Sequence, residues 1–243
     1  MKNILIFFSF FCLDALADLA VTPPLLQFKG DDKFNEVTIK NESNKDRLFN
    51  ISIKKWSQEN GEDTYTDTDD LFILPIMAQV KPNSEKVIRV ILKKPASEAA
   101  QNSYRLFIRE APFGPKKETS GTSFQFLFSI IVPVFTHGKN FIPNQSLIYK
   151  AEHDTAKNKV FVTISNTGNT VQLLNKIDAK SVSNALYNQA RYILPGAFYT
   201  YEFPLKVKKS MKEFTLNYFL NEKSASKIID IIPFKESIDK KKN

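Results

Sequence analysis

The residues of this chain whose types and spacing point to chemistry are Phe124, Phe126, Phe128 and Ile130. They alternate through Gly121-Thr-Ser-Phe-Gln-Phe-Leu-Phe-Ser-Ile-Ile-Val-Pro-Val134 and so share one side of a strand. The chemistry they offer is recognition by burial, with no bond made or broken. The other side, Gln125, Leu127, Ser129 and Ile131, is half apolar too, so the segment asks for cover on both faces. Two arrangements provide it: a central place in a sandwich, or an edge that takes its second neighbour from another chain. A long apolar edge is a liability unless pairing is its purpose.

Residue patterns for covalent catalysis are missing. The chain has no Gly-x-Ser-x-Gly elbow, no His-Glu-x-x-His and no phosphate-cradling glycine loop, with 7 glycines in all. His137 and His153 stand alone, and lone histidines are more often incidental than ligands. The acidic run Glu62-Asp-Thr-Tyr-Thr-Asp-Thr-Asp-Asp70 lacks the glycine and closing glutamate of a calcium loop and reads as a solvated hairpin. The chain is read as no enzyme, with no cofactor and no metal. Asn41-Glu-Ser, Asn50-Ile-Ser and Asn144-Gln-Ser are glycan acceptor patterns of the kind that an Asn- and Ser-rich chain contains by chance.

The elements that must position the Phe-rich segment are short and rich in β-branched or aromatic residues. Examples are Glu36 to Lys40, Leu48 to Ile53, Lys86 to Leu92, Tyr104 to Arg109 and Lys159 to Ile164, punctuated by turns at Asn60-Gly61, Lys81-Pro-Asn-Ser84 and Pro195-Gly196. This spacing predicts an all-β chain of antiparallel sandwiches. Val37-Thr-Ile-Lys-Asn-Glu-Ser-Asn44 recurs as Val162-Thr-Ile-Ser-Asn-Thr-Gly-Asn169, and Ile73-Leu-Pro75 recurs as Ile193-Leu-Pro195. A phrase recurring at domain-sized spacing predicts two related sandwiches. The expected division is a first domain over 18–135, a hinge over 136–142, a second domain over 143–234 and a basic tail over 235–243. So short a hinge implies a fixed angle with a cleft between the domains.

Lys2, the apolar run Ile4 to Leu13 and Ala15-Leu-Ala17 before Asp18 read as an export signal over 1–17, cleaved after Ala17. The run is too short to span a membrane, for which about 20 residues are needed. Phe10 and Phe11 precede Cys12, where lipidation expects small residues. Cys12 is the only cysteine, so the mature chain holds together by packing alone. Lys plus Arg number 34 against 26 Asp plus Glu, a net +8. The excess is spread over pairs and a tail, which reads as solvated loops and not as a nucleic-acid stripe.

Taken in order, the Asn-rich turn, Trp56, Ile73-Leu-Pro-Ile76, Val80-Lys-Pro-Asn-Ser-Glu85, Val87-Ile-Arg-Val90, Tyr104-Arg-Leu-Phe-Ile-Arg-Glu-Ala-Pro112 and Phe124 to Phe135 form a pattern. It resembles the N-terminal domain of periplasmic pilus chaperones of the chaperone-usher pathway (the PapD-like family). The Tyr-Arg-Leu-Phe phrase and the Ile-Val-Pro-Val-Phe ending are more similar to the archaic branch. The resemblance covers most of 18–135 and is weaker beyond it, where Asn166-Thr-Gly168 and Pro195-Gly196 carry it.

The resemblance implies two immunoglobulin-like β-sandwiches and a periplasmic chaperone. Such a chaperone lends a strand, here Phe124 to Val134, to pilin-like subunits that lack their last strand, and passes them to an outer-membrane usher. Phe124, Phe126, Phe128 and Ile130 are then the side chains expected to enter the subunit. Burying one such side chain is worth about 1.5 to 3 kcal/mol. The family also anchors the subunit's C-terminal carboxylate with basic residues in the cleft. The lysine of the better-known branch, expected near the end of the donor strand, has no counterpart in Ile130, Ile131, Val132 and Pro133. The anchor falls to Arg105, and next to Arg89, whose family counterpart resembles part of an inter-domain salt bridge and which has Glu98 as its nearest candidate partner. The resemblance implies no cofactor and no nucleotide, no nucleic acid and no stable membrane insertion, and leaves a self-dimer of the free protein open. A secreted two-domain adhesin or pilus subunit is the alternative.

Overall fold

A computed structural model describes residues 18–113, 126–180, 183–206 and 212–233. The export signal over 1–17, Phe124 and the basic tail lie outside the described residues. The first half carries β1 (Leu19–Thr22), β2 (Leu26–Lys29), β3 (Phe34–Asn41), β4 (Arg47–Glu59), β5 (Glu62–Thr66), β6 (Leu71–Leu74), β7 (Met77–Val80), β8 (Ser84–Leu92), β9 (Asn102–Ala111) and β10 (Ser129–His137). The second carries β11 (Leu147–Asp154), β12 (Lys159–Asn166), β13 (Gln172–Asp178), β14 (Leu186–Tyr187), β15 (Arg191–Ile193), β16 (Phe198–Pro204), β17 (Glu213–Leu220) and β18 (Lys223–Pro233).

The first half is a sandwich of two sheets. One runs β1-β3-β8-β6, and the other β2-β10-β9-β4-β5 with β7 also on β4. Alternation decides what lies between them. Val37, Ile39, Ile88 and Val90 from the first sheet meet Phe49, Ile51, Tyr104, Leu106, Ile108, Val132 and Val134 from the second. The intervening residues face outward, so Arg89 lies on the outer face of one sheet and Arg105 on the outer face of the other. The β4–β5 hairpin turns at Asn60 and Gly61, both with positive φ, as the Asn-Gly pair predicts. Beyond the hairpin, Asp67 pairs with Lys54, and Asp69 and Asp70 pair with Lys94.

The second half follows the path β14-β13-β17-β18-β11-β12-β16. The long β18 is antiparallel to β17 along most of its length and parallel to β11 near its end, and so joins the two layers. Val160, Val162, Ile164, Leu174, Ile177, Tyr201, Phe203 and Leu216 fill the core. Trp56 and Phe135, from the outer face of the first sandwich, belong to this same cluster. The molecule therefore has two β-sandwich domains sharing one aromatic seam.

The repeated phrase has a physical basis. Asn41 is fully buried and donates from Nδ2 to the carbonyls of Lys45 and Val80, while its Oδ1 accepts the Ser43 N–H. Asn166 donates to the carbonyls of Thr170 and Ile193 and accepts the Gly168 N–H. Each asparagine ends a strand by satisfying backbone groups that the turn would otherwise bury unpaired. Gly168 is required for space as well, because a Cβ there would lie 2.3 Å from the Asn144 carbonyl oxygen.

Candidate functional site

β10 is half edge and half interior. On one side it is antiparallel to β9 from Ser129 opposite Arg109 to Thr136 opposite Asn102. On the other, β2 pairs in parallel with Val134 to His137 only. Ser129 to Pro133 thus have no second strand among the described residues. The Glu110 N–H donates to the Phe128 carbonyl at 2.8 Å. By the alternation of an antiparallel ladder, Phe128, Ile130 and Val132 turn their backbone groups to β9. Ser129 and Ile131 therefore point theirs away, toward the open side. Pro133, with no N–H to leave unpaired, marks where the open stretch ends and β2 begins.

The side chains divide in the same way. Val132 and Val134 are buried in the first core, and Ile130 packs half-buried against it. Ile131, on the opposite side, is 46% exposed. Phe126 is 87% exposed and Phe128 40% exposed, both just before the paired strand. The expected set is thus not uniform. Phe126 and Phe128 are available, Ile130 is shared with the chain's own core, and Phe124 lies outside the described residues. The paired strand starts at Ser129, and its partner β9 ends at Ala111.

Arg105 lies where the two domains meet. Its guanidinium lies 3.6 Å from the centroid of the Trp56 ring and 5.5 Å from that of Tyr192 on β15, so residues of both domains line it. Tyr192 also packs edge-on against Trp56 and Phe135. Arg105 Nε is buried and has no hydrogen-bond partner among the described residues. Burial pulls the Arg105 pKa below the ordinary arginine value, against the opposing pull of Tyr65, Asp63 and Tyr192. A partly buried cation on an aromatic floor is suited to an anionic group that meets its terminal nitrogens. An oxygen-bearing carboxylate fits its planar fork.

Arg89 is placed elsewhere. It pairs with Glu36 of β3 at 2.7 Å and lies over the Phe34 ring, on the outer face of the opposite sheet. The two arginines are separated by the thickness of the sandwich and do not converge on one ligand. Glu98, the candidate partner of Arg89, accepts from the Asn140 side chain at the hinge. His137 sits against the Gly138 carbonyl and the Phe141 ring.

The domains are tied by side-chain amides that sequence reading missed. Gln58 Nε2 donates to the Tyr192 carbonyl (2.9 Å) and its Oε1 accepts the Leu194 N–H (3.0 Å). Gln101 Oε1 accepts the Val171 N–H, and its own N–H donates to the Asn169 carbonyl. Glutamines carry no spacing signal of their own. Only the fold brings Gln58 beside residues 134 and 136 positions away.

Residues 18–141 match the family model for the pili and flagellar-assembly chaperone, PapD N-terminal domain. The chain belongs to this chaperone family. Solved structures agree on the fold over both domains. A chain of the CsuC-CsuE chaperone-tip adhesion subunit pre-assembly complex, from archaic chaperone-usher Csu pili of Acinetobacter baumannii, is 18% identical with a TM-score of 0.63, covering 90% of this chain and 100% of that one. A chain of the Salmonella enterica complex of SafA pilin with the SafB chaperone is 11% identical, TM-score 0.60, covering 87% and 95%. The Pseudomonas aeruginosa CupB2 chaperone is 14% identical, TM-score 0.54, covering 88% and 100%. No curated protein sequence matches the chain. Among the described residues, no helix of this chaperone is long and apolar enough to cross a membrane.

Proposed function

We propose that this chaperone is exported to the periplasm, with its signal removed after Ala17, and there holds pilin-like subunits by lending them the open edge of β10. The reading rests on one observation: among the described residues Ser129 to Pro133 carry a strand neighbour on one side only, while the exposed Phe126 and Phe128 lead into them. A subunit lacking a strand would pair with the outward backbone groups of Ser129 and Ile131 and take the apolar side chains into its groove. Its C-terminal carboxylate would reach Arg105, opposite Pro133 at the closed end of that edge, which sets the register. Delivery to an outer-membrane usher follows, where a neighbouring subunit's own extension replaces the borrowed strand without nucleotide.

Co-purification from periplasm with a pilin-like subunit of the same genome tests this, comparing the native protein with a Phe126→Asp, Phe128→Asp variant. A one-to-one complex that disappears in the still-folded variant is the expected result. A native chain that retains no subunit, or a variant that retains it equally, sinks the reading and brings the adhesin alternative forward.

A further inference from the structure

Phe128 stands where the β10 segment leaves its ladder, and it is held there from three directions. Its N–H donates to Glu110 Oε2 at 3.0 Å, its carbonyl accepts the Glu110 N–H at 2.8 Å, and its ring centroid is 4.9 Å from the Arg47 guanidinium carbon. Glu110 is held in turn by Arg47, whose Nη1 donates to both carboxylate oxygens at 3.0 Å. Arg47 Nε donates to Ser43 Oγ at 3.2 Å and Nη2 to Asp18 Oδ2 at 3.3 Å. The pair is nearly dry, with side chains 6% and 9% exposed.

Desolvating two charges is costly, and an apolar pair of similar volume would often serve stability as well. What the charged pair adds is an acceptor aimed at a backbone N–H outside the strand. It sits at the end of β9 away from Arg105. The open edge is therefore fixed at both ends, by β2 from Val134 onward and by Glu110 at Phe128, and free between them. A strand with a single neighbour frays, and ordering it during binding subtracts from affinity.

We infer that Arg47 and Glu110 are positioning residues, a latch that holds the donor segment extended before a subunit arrives. This inference rests on the strand-lending reading above. The latch meets the subunit only through Phe128. It also marks the limit of the preformed edge: Phe126, two residues beyond it, is almost fully exposed.

Amide hydrogen exchange in the full free chaperone, together with retention of the co-purified pilin-like subunit, tests the latch in Glu110→Ala and Glu110→Gln. In Glu110→Ala, the N–H groups of Phe128 and Ile130 should exchange at least roughly tenfold faster while those of Ile39 and Ile88 in the core are unchanged, and subunit affinity should fall by roughly tenfold. Glu110→Gln, which keeps an oxygen for the Phe128 N–H, should restore part of both and stands in if the alanine variant fails to fold. Exchange that is unchanged at Phe128, or that rises in step with the core, overturns the latch while native subunit retention leaves strand lending intact. A native protein that retains no subunit overturns the reading on which the latch depends.

Discussion

The guanidinium of Arg105 rests 3.6 Å from the Trp56 ring centroid, and that ring is part of the second domain's core cluster. The cation is thus presented by the seam that joins the domains. Replacing Arg105 by Ala should leave the fold intact and weaken subunit binding. A hydrogen bond to a charged group is worth about 1.5 to 3 kcal/mol, or about 10- to 100-fold in affinity. Lysine in its place should recover only part, since the planar fork is lost. Titration of the purified subunit into each variant measures this, and undiminished affinity in Arg105→Ala would remove Arg105 as the anchor.

Trp56 should behave as a structural rivet. It is 3% exposed and touches Phe135, Tyr192 and Arg105. Trp56→Ala should cost about 3 to 5 kcal/mol. The seam would keep the Phe135–Tyr192 contact and the Gln58, Gln101 and Asn169 hydrogen bonds but lose its central ring, so calorimetry should split unfolding into two transitions where the native protein should show one.

Ile131→Pro separates strand lending from strand stability. The N–H of Ile131 points away from β9, so proline there spares the ladder and removes a donor that an incoming strand would use. The variant should melt near the native temperature and lose subunit retention. Ile130→Pro, whose N–H faces β9, should be destabilised directly, and equal behaviour of the two would contradict the assigned edge.

The paired asparagines predict matched losses in separate domains. Asn41→Ala and Asn166→Ala each leave buried carbonyls unpaired, at about 1 to 3 kcal/mol per group. Each should therefore lower stability by about 2 to 4 kcal/mol in denaturant titration. Asp at either position should not rescue, because it offers those carbonyls no donor.

Alkaline stability should depend on Tyr104. Burial, and next the Asp70 carboxylate 2.9 Å from its hydroxyl, raise the Tyr104 pKa above the ordinary tyrosine value. The folded state then binds this proton more tightly than the unfolded chain. Its contribution is complete below about pH 10 and is lost as pH rises from there through the folded value. Tyr104→Phe should be less stable at neutral pH and lose less between about pH 9 and 11, as read from denaturation midpoints. Equal slopes for the two proteins would show that Tyr104 does not carry the effect.

Strand positions, hairpin turns, the two-sandwich class and the repeated Asn turn were legible from residues alone. They follow from local rules: alternation selects which side chains are buried, Asn-Gly selects the tight turn, and an asparagine after Val-Thr-Ile caps the strand on its own backbone. The apolar alternation through Phe126 and Phe128 was visible for the same reason, but that both side chains are exposed came from the structure, since the alternation alone also suits a covered central strand. Arg105 was singled out through its strand's place beside β10, but its aromatic floor was not, because Tyr192 comes from the other domain.

Tertiary structure alone decided three things. Arg89 and Arg105 face opposite sides of one sandwich, a consequence of which residues of β8 and β9 turn inward. Ile130 shares the chain's own core because β10 is open on one side among the described residues and is at the same time a strand of the first sandwich. Arg47 and Glu110, 63 positions apart, meet because β4 and β9 are antiparallel neighbours. Pairings across such distances depend on sheet order and register, and those are settled by how all the buried faces fit together, which no single segment of the chain encodes.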